Sequence, residues 1–329
     1  MLRKVQTIGY LLALSFLVSC EENQNEPIQD PTQFTATNFV SGLKMPVGMS
    51  PDEEGQLWVA ESGTGHNDAQ VSLVTAQGTV HPVITGLNSV FANGSIEGMG
   101  HVLYKEGKLY ILNGHAGRLY IADVSSFKPG DAPQAASSLE SEDMGTFVRG
   151  LNLTDPINSN VYQLTFGPDD NLYIVDAGAN AIIKRDKTTK ALSLFAHIPN
   201  VTATAESVPT GIVYDGSKFL VSALSGAPFI KGTAKLFRVD LDGNVSDYQT
   251  NFTTATDILL TPNNKPLITE FAEFSLTTPG FVPATGRIAN EEGTTILGNL
   301  TMPTDLERSG DKTYYVLSYA EGTIQKLTY

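Results

Sequence analysis

Three carboxylates, Glu97, Asp257 and Asp305, stand near the starts of short apolar segments that recur along the chain. With the side-chain oxygens of Gln163 and Thr210 they form an all-oxygen set of the kind a hard cation such as Ca²⁺ prefers. If they converge, a bound divalent ion would polarise a carbonyl or activate water. The plainer reading, adopted here, is that Asp257 and Asp305 cap turns or accept backbone N–H bonds. Without a metal, clustered carboxylates repel and one of them must bind its proton more tightly. A second set, Glu61, Asn113, Asp176 and Glu270, ends other apolar segments just before glycine or loop residues and reads as turn caps.

Other chemistries lack their residues. The five histidines, His66, His81, His101, His115 and His197, show no i,i+4 pair and no local cluster, so they read as surface or core residues rather than zinc ligands. His66 and His115 fall in equivalent hairpin loops that would flank a channel mouth. No serine lies in a Gly-x-Ser-x-Gly elbow and no glycine-rich phosphate loop opens a helix. No catalytic residue is assigned, and no cofactor beyond a divalent cation.

The elements that must position these residues form a repeat: a short apolar strand, a turn rich in Asp, Asn or Gly, then a second strand of aromatic and β-branched residues. The second-strand cores begin at Leu57, Leu109, Leu172, Phe219, Pro266 and Tyr314, at spacings close to one four-stranded propeller blade. Six blades are expected, in an all-β six-bladed β-propeller over 34–329. Unevenly spaced strands would instead suit a β-sandwich. The longest interval contains 125–160 and reads as a loop insertion with a short helical turn between the second and third blades. The last blade lacks a fourth strand, which Phe34–Val40 can supply from the other end of the chain, closing the ring without a free sheet edge. First strands of a propeller begin at the mouth of the central channel. Aligning Val47-Gly48-Met49, Glu97-Gly98-Met99, Tyr162-Gln163-Leu164, Thr210-Gly211-Ile212, Thr256-Asp257-Ile258 and Thr304-Asp305-Leu306 therefore predicts that the three acids meet there.

Ahead of the repeats, Arg3 and Lys4 precede the apolar run 8–18, too short to span a bilayer and suited to a signal peptide over 1–19. Leu17-Val18-Ser19-Cys20 resembles a lipobox, which predicts acylation of Cys20, the chain's only cysteine. Residues 20–33 are acidic, polar and proline-punctuated, the composition of a flexible tether. The acids after Cys20 resemble the surface-export signal of Bacteroidetes lipoproteins. The expected place is the outer membrane, on its periplasmic face or at the cell surface. Loss of Arg3 and Lys4 would leave 19 basic against 35 acidic residues, a formal charge of −16, which makes nucleic acid a poor partner.

Val175-Asp176-Ala177-Gly178-Ala179-Asn180, Val208-Pro209-Thr210-Gly211-Ile212, Ser225-Gly226-Ala227-Pro228-Phe229, Lys235-Leu236-Phe237-Arg238-Val239-Asp240 and Met302-Pro303-Thr304-Asp305-Leu306 occur in that order. In this respect the chain resembles the ScyD/ScyE family, secreted propellers related to the NHL-repeat group. The resemblance runs from about Leu43 to the end and departs at Ala223, where an acid is expected. It implies a fold and a secreted location but no reaction. In gluconolactonase-like propellers an acid, an Asn and an Asp at comparable strand starts hold a divalent metal, and only Glu97 resembles that pattern. The expected function is a lipid-anchored, monomeric binding module that takes a small-molecule or protein ligand at the channel mouth. The alternative is a metal-dependent hydrolase of the lactonase type.

Overall fold

The six second-strand anchors are successive spokes of one wheel. In the computed structural model, which describes residues 28–92 and 94–329, six antiparallel four-stranded blades, the first extended by a short fifth strand, surround a central axis. The predicted signal peptide, Cys20 and the tether up to 27 lie outside the described residues. The innermost strands are Pro46–Pro51, Met99–Lys105, Val161–Phe166, Pro209–Tyr214, Ala255–Leu260 and Pro303–Arg308. Each packs against the innermost strands of both neighbouring blades, with Pro303–Arg308 against Pro46–Pro51 completing the circuit.

The second strands Leu57–Glu61, Leu172–Asp176, Phe219–Ala223 and Pro266–Glu270 are buried along their whole length. A neighbouring blade covers each face, which is why Leu57-Trp58-Val59-Ala60 reads as unbroken apolar sequence rather than alternation. The core is accordingly divided into six clusters, one at each blade interface. Trp58 and Val71 meet Val102 and Ile111 between the first two blades, and Val40 and Tyr315 meet Met49 and Leu57 between the last and the first. Truncating one such buried leucine to alanine costs about 2–5 kcal/mol.

Thr35–Ser41 pairs antiparallel with Thr323–Thr328 and is the fourth strand of the last blade, as the sequence predicts. Phe39 packs on Tyr315 with ring centroids 5.1 Å apart, and Phe34 on Tyr314 at 5.0 Å. The insertion is more ordered than a loop. Gln134–Ala135 adds in parallel to the outer strand of the first blade, and Glu140–Asp143 returns as the fourth strand of the second. The helix Met144–Gly150 follows, capped by the Asp143 carboxylate accepting the Thr146 amide at 2.9 Å. Glu140-Ser141-Glu142-Asp143 contains no apolar residue, so a strand there has no hydrophobic signature. It is held by Arg118 on Ser141 and by the paired Arg185–Glu142 contacts at 2.6 Å.

Candidate functional site at the channel mouth

The pairing of first with second strands slips at the same place in every blade. The slips fall between Pro46 and Gly48, Val161 and Gln163, Pro209 and Gly211, Ala255 and Asp257, and Pro303 and Asp305. In the second blade the slip lies between Met99 and Val102. A bulge leaves one residue unpaired and re-aims its side chain. The residues so released, Val47, Tyr162, Thr210, Thr256 and Thr304, line the hollow at the channel mouth. Gly100 occupies the bulge of the second blade, where a Cβ would come 2.5 Å from the Tyr162 carbonyl oxygen.

One residue deeper lies a ring of six positions: Gly48, His101, Gln163, Gly211, Asp257 and Asp305. Its side chains tie blades together. Gln163 Oε1 accepts the Ile212 amide, Asp257 Oδ2 the Leu306 amide at 3.0 Å, and Asp305 Oδ2 the Met49 amide. In each case the acceptor takes the N–H just past the ring position of the next blade, satisfying a donor on the inner edge of that blade's sheet. Gln163 Nε2 donates to Asp257 Oδ1 at 2.6 Å and faces His101 Nδ1 at 3.3 Å. Since the Gln163 oxygen is committed to Ile212, His101 Nδ1 is the acceptor and the imidazole proton is on Nε2. His101 fills the space of the absent side chain at Gly48, where a Cβ would be 2.5 Å from His101 Cγ.

Burial dominates the electrostatics of this ring. It holds the His101 imidazole down to about 3, so the ring is neutral. It raises Asp257, and raises Asp305 well above the ordinary carboxylate range, with the charges of Asp257 and Glu307 adding to the effect on Asp305. Asp305 therefore keeps its proton when Asp257 is ionised. His101 Nε2 and Asp305 Oδ1 are buried with no hydrogen-bond partner.

The sequence-predicted acids separate into two levels. Asp257, Asp305 and Gln163 come together in the ring and accept backbone amides, as the plainer reading expects. Glu97 does not join them. It ends a small hairpin of its own, Val90–Ala92 with Ser95–Glu97, and its exposed side chain accepts Ser95 Oγ at 2.9 Å. The alignment of Glu97-Gly98-Met99 with the other strand starts is thus corrected: Gly100-His101-Val102 is the equivalent segment. Counting back from the second-strand anchors would reveal this, because His101 precedes Leu109 by eight residues and Gly48 precedes Leu57 by nine. Thr210 backs the mouth, and its hydroxyl donates to the Ala255 carbonyl at 2.7 Å. Among the described residues, no three His, Cys, Asp or Glu side chains converge as metal ligands.

The second acidic set is structural. Asp176 accepts Ser159 Oγ at 2.7 Å and the amides of Asn160 and Ala179, and Glu61 accepts the Lys44 amide with Gln70 and Ser72. Asn113 bonds Asn88 and Ala116, and Glu270 holds Arg287 with two hydrogen bonds. Ala223 lacks the expected acid because Asn180 does that work from the neighbouring blade. Its oxygen accepts Ser207 Oγ at 3.0 Å and the Val208 amide at 2.8 Å, matching the hold of Asp176 on Ser159 and Asn160. His66 and His115 are exposed on mouth-side loops, as expected.

Sequence reasoning missed His101 in the ring and the aromatic lining of the mouth. Tyr162, Phe271 and Tyr319 bound one hollow of about 220 Å³. Phe229, Phe271 and Phe281 bound an adjoining one of the same size. Phe229 and Phe281 meet at a tilt of 45° with ring centroids 5.1 Å apart, and Phe271 meets Phe281 edge-on at 4.9 Å. Tyr162 is the bulge residue of a first strand and Phe281 belongs to a two-residue strand paired with Phe274–Ser275, whereas Phe229, Phe271 and Tyr319 sit on loops, outside the periodic pattern that marks strands.

No protein-family model matches the chain, and no curated protein matches it. Solved structures do. A protein of unknown function from Bacteroides thetaiotaomicron VPI-5482 is 12% identical, with a TM-score of 0.59 over 90% of this chain and 76% of its own. The PQQ-bound aldose sugar dehydrogenase of Streptomyces coelicolor is 12% identical, with a TM-score of 0.59 over 91% and 99%. The virginiamycin B lyase of Staphylococcus aureus is 11% identical, with a TM-score of 0.55 over 90% and 100%. At such identity the likeness carries the fold alone, which in this chain is a six-bladed β-propeller.

Proposed function

We propose that this chain is an extracytoplasmic binding propeller of the ScyD/ScyE kind, anchored by lipid on Cys20, that takes a small molecule into its channel mouth. The observation that carries the reading is the division of labour between two adjacent layers. Ring side chains are committed to backbone amides and the bulge threonine hydroxyls to backbone carbonyls, so the open hollow above them is floored by satisfied groups and walled by aromatic rings. Concave, largely apolar sites with a few polar groups are where small ligands bind.

The tether supports a direction of display. Asn263, in the turn at the far end of a first strand, donates to the Ile28 carbonyl at 2.8 Å and to Asp30, and Tyr329 donates to the Gln29 carbonyl. The chain thus leaves the propeller on the face opposite the mouth, so a lipid on Cys20 would leave the mouth pointing away from the membrane. A metal-assisted lactone hydrolase, the competing reading, would need Glu97, Asp257 and Asp305 around one ion, and Glu97 stands on a hairpin outside the ring.

The test is a fragment screen by ligand-observed NMR against the wild type and Thr304→Trp, which fills the mouth. Hits that disappear in the variant support the reading. Hits that survive it, or an absence of hits alongside capture of a protein partner through the same face, overturn it. Membrane fractionation of Cys20→Ala tests the anchor, and a variant that remains in the membrane fraction removes that part.

A further inference from the structure

The two hollows of the mouth share Asn160, Tyr162, Phe271 and Thr304 and therefore form one continuous site. Among the described residues lining them, Glu97 is the one with a charged side chain, and no Lys, Arg or His contributes. Directly below lie Asp257 and Asp305, one residue deeper than Thr256 and Thr304. We propose that the mouth binds an organic cation, a protonated amine or quaternary ammonium on an apolar body. The head group sits among Tyr162, Tyr319 and Phe271 facing Glu97, and the body lies against Phe229 and Phe281. This rests on the reading of the mouth as a small-molecule site and names the ligand's class.

Aromatic faces attract cations through their quadrupoles, most strongly where water is partly excluded. An anion in this place would meet ring faces and the Glu97 carboxylate, with no basic side chain lining the hollows to offset them. Burial raises both phenols, with Asp305 and Asp257 adding at Tyr162 and Glu97 at Tyr319, so Glu97 stands close enough to Tyr319 to act on it. A formal charge of −14 on the whole chain adds long-range attraction for cations. The second hollow supplies the apolar complement. Phe229 and Phe281 line it, and Phe274 packs against both.

A matched series separates charge from shape: benzyltrimethylammonium, the neutral benzyldimethylcarbinol and the anionic benzyldimethylacetate, titrated calorimetrically into the full-length protein. The cation should bind at least about tenfold tighter than the carbinol, with no measurable binding of the acetate. Glu97→Gln, at an exposed position that leaves the melting temperature unchanged, should weaken the cation about five- to tenfold and leave the carbinol as it was. Phe271→Ala should weaken both. A carbinol within threefold of the cation, or an unchanged cation-to-carbinol ratio in Glu97→Gln, overturns the cation assignment while leaving a small-molecule site in place. Failure of all three probes overturns it as well, and the fragment screen then decides the broader reading on its own.

Discussion

The carboxylate of Asp305 accepts the backbone amide of Met49, joining the last blade to the first across 256 positions of sequence. Together with the edge pairing of Thr35–Ser41 on Thr323–Thr328, it closes the ring at the axis as well as at the rim.

Asp305→Ala should therefore destabilise the protein by about 2–4 kcal/mol, since it leaves a buried amide unpaired and opens a cavity. Asp305→Asn keeps an acceptor for Met49 and should cost about 1 kcal/mol or less. Urea unfolding of both variants checks this, and equal losses would mean that the Met49 contact contributes little.

The pH dependence has opposite signs at two ring positions that face each other past Gly48, with His101 Nδ1 3.7 Å from Asp305 Oδ2. His101 has a folded value pushed down to about 3 against an ordinary 6.5, so its contribution is present above pH 6.5 and is lost as pH falls toward 3. The wild type should lose stability relative to His101→Phe over that window, by at most about 1.4 kcal/mol per pH unit. Asp305 is raised, so its contribution is complete below its unfolded value near 3.9 and is lost as pH rises through the folded one. Asp305→Asn should gain on the wild type as pH rises above about 4. Chemical denaturation at a series of pH values reads both effects.

Much of this architecture is legible in the sequence because propeller blades repeat. Leu57, Leu109, Leu172, Phe219, Pro266 and Tyr314 mark second strands buried on both faces, and the orphan strand around Phe39 has one vacant edge to fill. The ring was legible in five blades, where Gly48, Gln163, Gly211, Asp257 and Asp305 sit eight or nine residues before their anchors. It failed in the second, where the Val90–Glu97 hairpin imitates a strand start and displaces the alignment from His101. The fourth strand Glu140–Asp143 was hidden because its partners are ions and hydroxyls rather than apolar side chains. Tyr319, Phe271 and Phe229 converge only through loop geometry, which no local pattern encodes.

Asn180→Ala should cost about 1–3 kcal/mol, because the Val208 amide and Ser207 hydroxyl lose their acceptor with no acid at 223 to replace it. A thermal melt that matches the wild type would show that this junction is held by its hydrophobic contacts alone.

Removal of residues 1–33 should leave a folded propeller, whereas removal of 1–41 strips the closing strand and exposes Ile324 and Leu327, both buried beneath it. The longer deletion should aggregate or melt far lower. Size-exclusion chromatography and thermal denaturation of the two proteins distinguish these outcomes, and similar behaviour would contradict the role given to Thr35–Ser41.

Ligand position is most directly tested by a crystal structure soaked with benzyltrimethylammonium or the tightest fragment hit. Density bounded by Tyr162, Thr304 and Phe271, with His101, Gln163, Asp257 and Asp305 unmoved beneath it, is the predicted result. Density on the opposite face, or a ligand or metal ion coordinated directly by Asp257 and Asp305 with their amide bonds broken, would contradict it.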